Sequence, residues 1–353
     1  MQTAFLGDLL LSVPLLLRAR ALWPEDRLVL MCREHLGDFF KRTGLVDEVI
    51  EIRKKDAGTY RQAQEALSGR PLARVISPHS SFRTAWFARG LNAAEKISFR
   101  QPWNFFAYNR RLPRPRALPD ALRQLSLLAP FDEVLAENLR QYAVSGRAYR
   151  KDEDGRLSGV PIWASPSLRS RLLADRGAWT RLMEKLDWQR FGARPKVLIF
   201  PGSVWATKRW TEEGFVEVGR RLTDEGNQVF IMGAGNEVPL AERVAERIPG
   251  AVSLAGRTSL YESALVLAHG DLMIGNDSAS IHLASCTETP LITIFGPTVL
   301  EFGFRPWSNQ AWVAEREGLS CRPCGPHGHN KCPRGTHECM KNLSADEVLK
   351  SRP

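Results

Sequence analysis

The sequence predicts an α/β protein made of two doubly wound domains that face a central crevice. Short apolar runs alternate with helix-like runs through both halves, a pattern typical of parallel sheets covered by helices on both faces. The length of 353 residues suffices for two domains of ordinary size. A polar stretch at 145–159 separates the halves, so we place the boundary near residue 165, with an N-terminal domain at 1–165 and a C-terminal domain at 166–353.

Each half supplies its own strands and helices. The first half predicts strands at 3–5, 28–32, 49–52, 75–77 and 96–99, with helices at 8–21, 34–41, 60–67 and 80–91. The second half predicts a long helix at 167–186, strands at 196–200, 228–232, 252–254, 272–275 and 291–295, and helices at 211–225, 237–247, 259–268 and 278–286. Only Met1 and Gln2 precede the first strand, which predicts an unusually short central strand and a natural start upstream of Met1.

The composition is typical of a globular protein, and the charge is strongly basic. The hydrophobic content of 43% and the charged content of 25% are those of a soluble globular protein. No apolar run reaches membrane-spanning length, and the first one, at 9–17, has no basic start or small-residue cleavage site, so we expect no secretory signal. The net charge of +10 indicates either a solvated basic surface or an anionic partner such as nucleic acid, a phosphorylated glycolipid or an acidic membrane face.

The segment at 99–116 mixes aromatic residues with arginines, among them Trp103, Arg110 and Arg111. Such a mixture suits stacking on single-stranded bases. It also suits a lipid–water interface, where rings and cations meet anionic headgroups. A packed loop with a charged rim is the third interpretation, and the sequence leaves all three open.

Two polar turns follow apolar strands in the second half and indicate a site for a nucleotide diphosphate. Gly275 begins a turn that carries Asp277 and Ser278 and opens an apolar helix, where backbone N–H groups and the helix dipole favour a phosphate. The strand at 197–200 leads to Ser203 and Lys208, which can neutralise a diphosphate by hydroxyl and charge. The alternative for Lys208 is a surface lysine before a helix cap.

Two further side chains lie near these turns in the sequence. Glu237 follows a strand and a glycine turn, where it either binds both ribose hydroxyls or serves as a favourable first-turn glutamate. His282 lies one turn into the helix that follows Ser278, and we interpret it as lining the crevice rather than acting as an acid or base.

Asp8 is the candidate catalytic residue of the first half. It follows the first predicted strand beside Gly7 and begins a helix. One interpretation is an N-cap, which would stabilise the helix by about 1 kcal/mol. The other is a general base at the crevice, although a capping hydrogen bond would lower the pKa of its carboxyl and weaken it in that role.

Four of the six cysteines cluster near the C-terminus, at Cys321, Cys324, Cys332 and Cys339. Their spacing is compatible with a structural zinc site, with disulfides or a redox pair, or with reduced packed thiols. The acidic residues 152–154 follow no apolar strand, and we interpret them as a solvated cluster rather than a metal site.

The segments at 2–8, 208–210, 275–284 and 295–298 and the C-terminal cysteine pattern together resemble the lipopolysaccharide heptosyltransferases of glycosyltransferase family 9. The resemblance implies a GT-B fold with two Rossmann-like domains and a metal-independent, inverting transfer of heptose. The donor would be ADP-heptose, bound by the C-terminal domain. The acceptor would be the inner core on lipid A, bound by the N-terminal domain, as in a heptosyltransferase II.

The resemblance also implies residue roles. Asp8 would be the catalytic base, Ser203, Lys208 and Ser278 would contact the donor phosphates, Glu237 the nucleoside, and Asp277 and His282 the donor sugar. Arg83, Arg110 and Arg111 would form the surface that meets the anionic acceptor and the membrane.

From this resemblance we expect no cofactor for catalysis, no nucleic-acid partner, and a cytoplasmic enzyme peripheral to the inner membrane. A structural zinc at Cys321, Cys324, Cys332 and Cys339 stays one of the alternatives for the cysteines. Three alternatives stay open at this stage. They are a related transferase that uses another nucleotide sugar, a GT-B-like nucleotide-sugar 2-epimerase, and a nucleic-acid-binding protein, which would leave both polar turns unexplained.

Overall fold

Parallel strands form the sheets of the first unit of the chain, which contains residues 1–148 and 162–164. The computed structural model describes residues 1–352. The strands are β1 (Val29–Arg33), β2 (Glu48–Ile52), β3 (Leu72–Ser77), β4 (Ala93–Phe99) and β5 (Arg110–Leu112). They form two sheets, in the orders β1-β2 and β3-β4-β5. The helices are α1 (Leu6–Leu10), α2 (Val13–Leu22), α3 (Gly37–Arg42), α4 (Ala57–Ser68), α5 (Phe82–Arg89), α6 (Asp120–Leu125) and α7 (Glu133–Val144). Short 3-10 turns cover Ser126–Phe131 and Ile162–Ala164.

The prediction of a strand at 3–5 is wrong. The Gln2 N–H donates to Met31 O at 2.9 Å, and the Met1 amino group donates to Ile76 O at 2.6 Å. These first residues therefore bridge β1 and β3, but they are too few to form a ladder. The predicted helix at 8–21 divides into α1 and α2, and Pro14, which has no backbone N–H to donate, lies in the first turn of α2.

The second unit contains residues 149–161 and the residues from Ser165 onward. The strands are β6 (Arg156–Leu157), β7 (Lys196–Phe200), β8 (Gln228–Ile231), β9 (Val252–Ser253), β10 (Leu272–Asn276), β11 (Leu291–Phe295) and β12 (Ala311–Glu315). They form one sheet in the order β6-β12-β11-β10-β7-β8-β9, with the pairs parallel except for the antiparallel β6. Pro353, the last residue of the predicted C-terminal domain, lies outside the described residues.

Helices surround this sheet. They are α8 (Arg169–Ala174), α9 (Arg176–Leu186), α10 (Glu212–Asp224), α11 (Val238–Glu246), α12 (Leu260–Ala268), α13 (Ala279–Thr287), α14 (Glu338–Lys341) and α15 (Ala345–Lys350). Short 3-10 turns cover Trp188–Phe191, Ala206–Lys208, Gly235–Glu237 and Leu300–Phe302. The predicted single helix at 167–186 is wrong, because Asp175 caps a new helix by accepting a hydrogen bond from the Ala178 N–H at 3.0 Å.

The central strands of the second unit align the turns that carry its polar residues. β10 lies between β7 and β11, with Gly275 opposite Phe200 and Asn276 opposite Ile294. Both β10 and β11 are buried along their whole length. Because the carboxyl ends of parallel strands meet at one edge of a sheet, the loops after β7, β10 and β11 lie side by side. Across residues 1–352, no helix is both long and apolar enough to span a membrane.

Candidate active site

An ion pair joins two of the turns in the second unit. Lys208, in the loop after β7, donates from Nζ to Asp277 Oδ2 at 2.6 Å, and Thr298 Oγ1, after β11, donates to the same oxygen at 2.6 Å. The Lys208 side chain is 12% exposed and that of Asp277 only 5%. A buried charge without a partner is costly, so each side chain fixes the other. The structure thus brings two sequence-predicted residues together and adds Thr298.

Asn276 connects the same two loops, and sequence reasoning did not single it out. Its Oδ1 accepts a hydrogen bond from the Trp210 N–H at 2.9 Å, and its Nδ2 donates to Pro201 O at 2.8 Å. Asn276 is fully buried at the end of an apolar strand. A buried amide needs hydrogen-bond partners in the fold. The signal in the sequence is a polar residue placed directly after an apolar strand.

Ser203 and Glu237 lie close together at the carboxyl ends of β7 and β8. The backbone carbonyl of Ser203 accepts a hydrogen bond from Arg209 Nε at 2.8 Å, and the Ser203 side chain is buried. A Cβ on the neighbouring Gly202 would lie 1.9 Å from Glu237 Oε1, so only glycine allows this approach. Glu237 Oε2 accepts from the Ala234 N–H at 2.8 Å, so the glutamate supports its own turn while lying beside the predicted phosphate loop.

The N-terminus of α13 lies in the turn after Asp277. Ser278 is the N-cap residue, but its side chain makes no capping hydrogen bond and instead lies 2.8 Å from Ser280 Oγ. The backbone N–H groups of the first turn therefore receive no side-chain cap from Ser278, as an anion-binding helix end requires. His282 is buried one turn further along the helix.

The C-terminal cysteine-rich segment packs against the loop that carries Lys208. The Thr207 N–H donates to His329 O at 3.0 Å, and His337 Nε2 is hydrogen-bonded to Thr207 O at 2.8 Å. Gly328, at a φ of +83°, lies so close that a Cβ there would be 3.2 Å from Lys208 Cγ. The segment therefore supports the position of Lys208.

The cysteines of this segment, Cys321, Cys324, Cys332 and Cys339, are free thiols. Burial, with the other three thiols nearby, raises the pKa of Cys339 to about 11. Within residues 1–352, no group of three or more His, Cys, Asp or Glu side chains is arranged to hold a metal ion. A structural zinc at these cysteines therefore stays a prediction.

In the first unit, Asp8 lies in the first turn of α1, where Phe5 is the N-cap residue. The N-cap interpretation of Asp8 is therefore wrong, because the helix begins at Leu6. Burial raises the pKa of the Asp8 carboxyl, the carboxylate of Asp120 raises it further, and hydrogen bonds from backbone N–H groups and the charge of Arg114 oppose the shift. A raised pKa brings a carboxylate closer to the range in which a general base works well.

Asp120, on α6, is a second acidic residue near Asp8 that sequence reasoning missed. It is 1% exposed, and its Oδ1 accepts a hydrogen bond from Arg114 Nη2 at 2.5 Å. Gln124 Nε2 donates to Asp120 Oδ2 at 2.8 Å and to the backbone carbonyl of Asp8 at 3.0 Å. This network fixes the two carboxylates relative to each other.

Three cations lie near Asp8 at the carboxyl ends of the strands. The Arg33 guanidinium and the Lys54 ammonium lie 4.5 Å and 5.9 Å from the centre of the Phe5 ring. Burial lowers the pKa of Lys54, and the charges of Arg33 and Arg83 lower it further. Within residues 1–352, none of the three forms an ion pair with a carboxylate. The cluster thus offers positive charge to an anion.

His79 also lies in this region and was missed. Its Nδ1 is 2.8 Å from Thr3 Oγ1. Burial lowers the pKa of His79 to about 4, helped by the charges of Lys54 and Arg33, so the ring is neutral at pH 7.

The remaining sequence-predicted residues of this unit lie apart from that cluster, on β5. Arg110 pairs with Glu95 at 3.3 Å and lies 5.0 Å from the centre of the Phe131 ring. Arg111 follows it in the same strand. Of the three predicted surface arginines, therefore, the structure brings only Arg83 close to the cations near Asp8.

Comparisons with known proteins found a family model and several relatives. A family model described as glycosyltransferase family 9 (heptosyltransferase) matches residues 61–332. Lipooligosaccharide heptosyltransferase 2 of Haemophilus influenzae is 26% identical over 213 residues, which cover 57% of this chain and 58% of the relative. Lipopolysaccharide heptosyltransferase 3 of Escherichia coli K12 is 24% identical over 335 residues, which cover 90% of this chain and 88% of the relative. The chain thus spans just under three fifths of the Haemophilus relative.

Solved structures show the fold. Escherichia coli ADP-heptose lipopolysaccharide heptosyltransferase II superposes with a TM-score of 0.75 at 19% identity, covering 99% of this chain and 96% of that one. An Escherichia coli heptosyltransferase solved with ADP-2-deoxy-2-fluoro heptose superposes with a TM-score of 0.69 at 19% identity. The superposition covers 99% of this chain and 98% of that one. The predicted GT-B fold with Rossmann-like domains is confirmed.

Proposed function

The chain belongs to glycosyltransferase family 9, and from this premise we propose that it transfers heptose from ADP-heptose to the inner core of lipopolysaccharide. The relatives named above are heptosyltransferases of lipopolysaccharide or lipooligosaccharide, and one matched structure contains an ADP-heptose analogue. We further propose an inverting reaction of the heptosyltransferase II type. The enzyme would act at the cytoplasmic face of the inner membrane, where a lipid-linked acceptor is built.

The observation that carries this proposal is the polar group at the carboxyl ends of β7, β10 and β11. Inverting transfer needs positive charge beside the departing diphosphate, which Lys208 and the N-terminus of α13 would supply. The hydroxyls of Ser203 and Ser278 add donors to the phosphates. This charge does not require a metal ion.

Other side chains of the same unit would hold the rest of the donor. Glu237, beside the Ser203 loop, would bind the ribose of the nucleoside. Asp277 has one oxygen occupied by Lys208 and Thr298, and its other oxygen would accept from a hydroxyl of the donor sugar. His282 would line that part of the site.

The first unit would bind the acceptor. Asp8 would take the proton of the attacking hydroxyl, for which its raised pKa suits it. Arg33, Lys54 and Arg83 would meet the negative charges of a phosphorylated acceptor.

Donor turnover tests the proposal. With purified lipid A-core acceptor and a panel of ADP- and UDP-sugars, we expect ADP release from ADP-heptose and only when acceptor is present. Release from a UDP-sugar instead would indicate a transferase with another donor. A new nucleotide sugar formed without acceptor would indicate an epimerase, and both results would contradict the proposal.

Chelation is expected to leave the initial rate unchanged, because Lys208 and the α13 N-terminus supply the positive charge that a divalent ion would otherwise provide. The measurement is the initial rate of ADP release with and without EDTA after gel filtration. Loss of activity in EDTA that magnesium or manganese restores would contradict this role of Lys208.

The pH profile should depend on the charges around Asp8. A general base works only when ionised, so the rate falls as the pH drops through the pKa of Asp8, which lies above the ordinary range for aspartate. Asp120→Asn removes a charge that raises this pKa and should move the acid limb of kcat to lower pH. Arg114→Gln removes a charge that lowers it and should move the limb to higher pH. Two variants that only weaken the fold would not shift the limb in opposite directions.

A further inference from the structure

We propose that an aromatic face on the first unit inserts into the interface of an anionic lipid bilayer. The aromatic face consists of Phe82 and Trp86 on α5, and of Trp103, Phe105 and Phe106 on the loop between β4 and β5. The inference rests on the proposed lipid-linked acceptor and adds the surface by which the enzyme reaches it.

The five rings form one continuous surface. Phe82 and Trp86 stack with ring centres 6.3 Å apart, and Phe106 lies 5.9 Å from Phe82 and 6.1 Å from Trp86. Phe82 is 58% exposed, Trp86 59% and Phe105 66%. Single exposed apolar side chains are common on soluble proteins, but adjoining exposed aromatic rings mark an interaction surface.

The loop holds its rings in place rather than letting them collapse onto the surface. Asn104 is fully buried, and its Nδ2 donates to Phe99 O at 2.9 Å while its Oδ1 accepts from the Gln101 N–H at 3.1 Å. Trp103 and Phe106 pack on a small buried cluster that includes Ala85 and Ala88. The exposed rings therefore stand on a fixed base, and binding through them costs little ordering of the loop.

The charge around this face indicates an anionic partner. The chain from residue 79 to residue 113 contains one carboxylate, Glu95, which pairs with Arg74 and Arg110 at 3.3 Å. The Arg89 guanidinium lies 5.4 Å from the centre of the Trp86 ring, so cation and aromatic surface are presented together. The same stretch contains six cations, which are Arg83, Arg89, Lys96, Arg100, Arg110 and Arg111.

Aromatic rings bordered by arginines fit a bilayer surface because the rings settle at headgroup depth while the cations meet anionic lipids. The sequence alone offers the rings and arginines of 99–116 as this surface and does not include the rings of α5. In the structure, Arg110 is paired with Glu95 and Arg114 with the buried Asp120. The membrane-facing surface is therefore centred on α5 and the 103–106 loop.

Co-sedimentation with vesicles tests the proposal. We expect the wild-type protein to bind vesicles of phosphatidylglycerol and phosphatidylcholine, to bind phosphatidylcholine alone far more weakly, and to dissociate at high salt. The double variant Phe82→Ser/Trp86→Ser should lower the partition coefficient by about tenfold or more, since two exposed rings are lost. Arg89→Gln should lower it by about fivefold.

Ile162→Ser is the matched control, because Ile162 is 96% exposed on the same unit but lies outside the aromatic face, and its binding should equal that of the wild type. Wild-type binding by the double variant would overturn the proposal. Two other results would also overturn it, both with a wild-type protein that does not bind vesicles. In the first, the wild type forms a dimer that the double variant does not form. In the second, the wild type binds an acidic protein through this face.

A water-soluble, deacylated acceptor separates this proposal from the proposed function. The double variant should turn over that acceptor at the wild-type rate, since the aromatic face only brings the enzyme to its membrane. If the wild type fails on every acceptor yet still binds anionic vesicles through these rings, the proposed function is wrong and the membrane surface stands.

Discussion

Replacing Asp8 with alanine is expected to abolish heptosyl transfer while leaving ADP affinity nearly unchanged. Loss of a general base costs about 10²- to 10⁴-fold in rate. Asp8 belongs to the first unit, whereas the side chains proposed to hold ADP belong to the second. The measurement is kcat for ADP release together with the Kd for ADP. Asp8→Asn should be equally inactive, because an amide cannot take the acceptor proton.

The control must remove a first-turn carboxylate that has no chemical role. Asp38 lies in the first turn of α3 in the same unit and is exposed. Asp38→Ala therefore tests the general effect of losing a negative charge at a helix N-terminus, and it should retain the wild-type rate. If Asp8→Ala kept activity within a few-fold of the wild type, Asp8 would have only a structural role at the start of α1.

Most of the fold could be predicted because its central strands are buried on both faces. Such strands form continuous apolar runs, and the predicted strands at 196–200 and 291–295 coincide with β7 and β11. Three strands were missed, β5 and β6 at sheet edges and the buried β12 between β6 and β11. β5 pairs only with β4 and contains Arg110 and Arg111, so nothing in its composition distinguishes it from a loop. The N-terminal segment does lie between β1 and β3 as a first strand would, but it makes too few bonds to be one.

The candidate site was predictable where it depends on strand ends and not where it depends on long-range pairing. The turns after β7 and β10 could be read from their strands, yet the Lys208–Asp277 ion pair joins residues 69 positions apart. Asp120 lies on a helix that periodicity did not reveal, so its effect on Asp8 required the structure.

Two of the cations near Asp8 could have been predicted from the sequence. Arg33 ends β1 and Lys54 follows β2. The rule that polar residues at the carboxyl ends of parallel strands share one edge therefore applies to them too. Arg33 and Lys54 are therefore predictable from the strands at 28–32 and 49–52, in the same way that Asp8 is from the predicted strand at 3–5.

Lys208→Ala is expected to weaken ADP binding about ten- to a hundredfold, because a charge-assisted contact to phosphate contributes about 1.5–3 kcal/mol. The same change leaves the buried carboxylate of Asp277 without its cation. Breaking a buried ion pair costs about 3–5 kcal/mol, so the variant should also unfold at a lower temperature. The single variant therefore lowers both the affinity for ADP and the stability. Its weaker binding could result from either the lost phosphate contact or the weakened fold.

The double variant Lys208→Ala/Asp277→Asn separates the two effects. Its neutral amide can still accept the Thr298 hydroxyl, so the Tm should recover towards the wild type while ADP affinity stays low. Lys196→Ala, at the opposite end of β7, removes a half-buried lysine that has no part in the proposed donor site, and should change neither quantity. If the double variant regained wild-type ADP affinity along with its Tm, Lys208 would serve only to neutralise Asp277. Weak binding in a restored fold is the result that assigns the ammonium of Lys208 to the departing diphosphate.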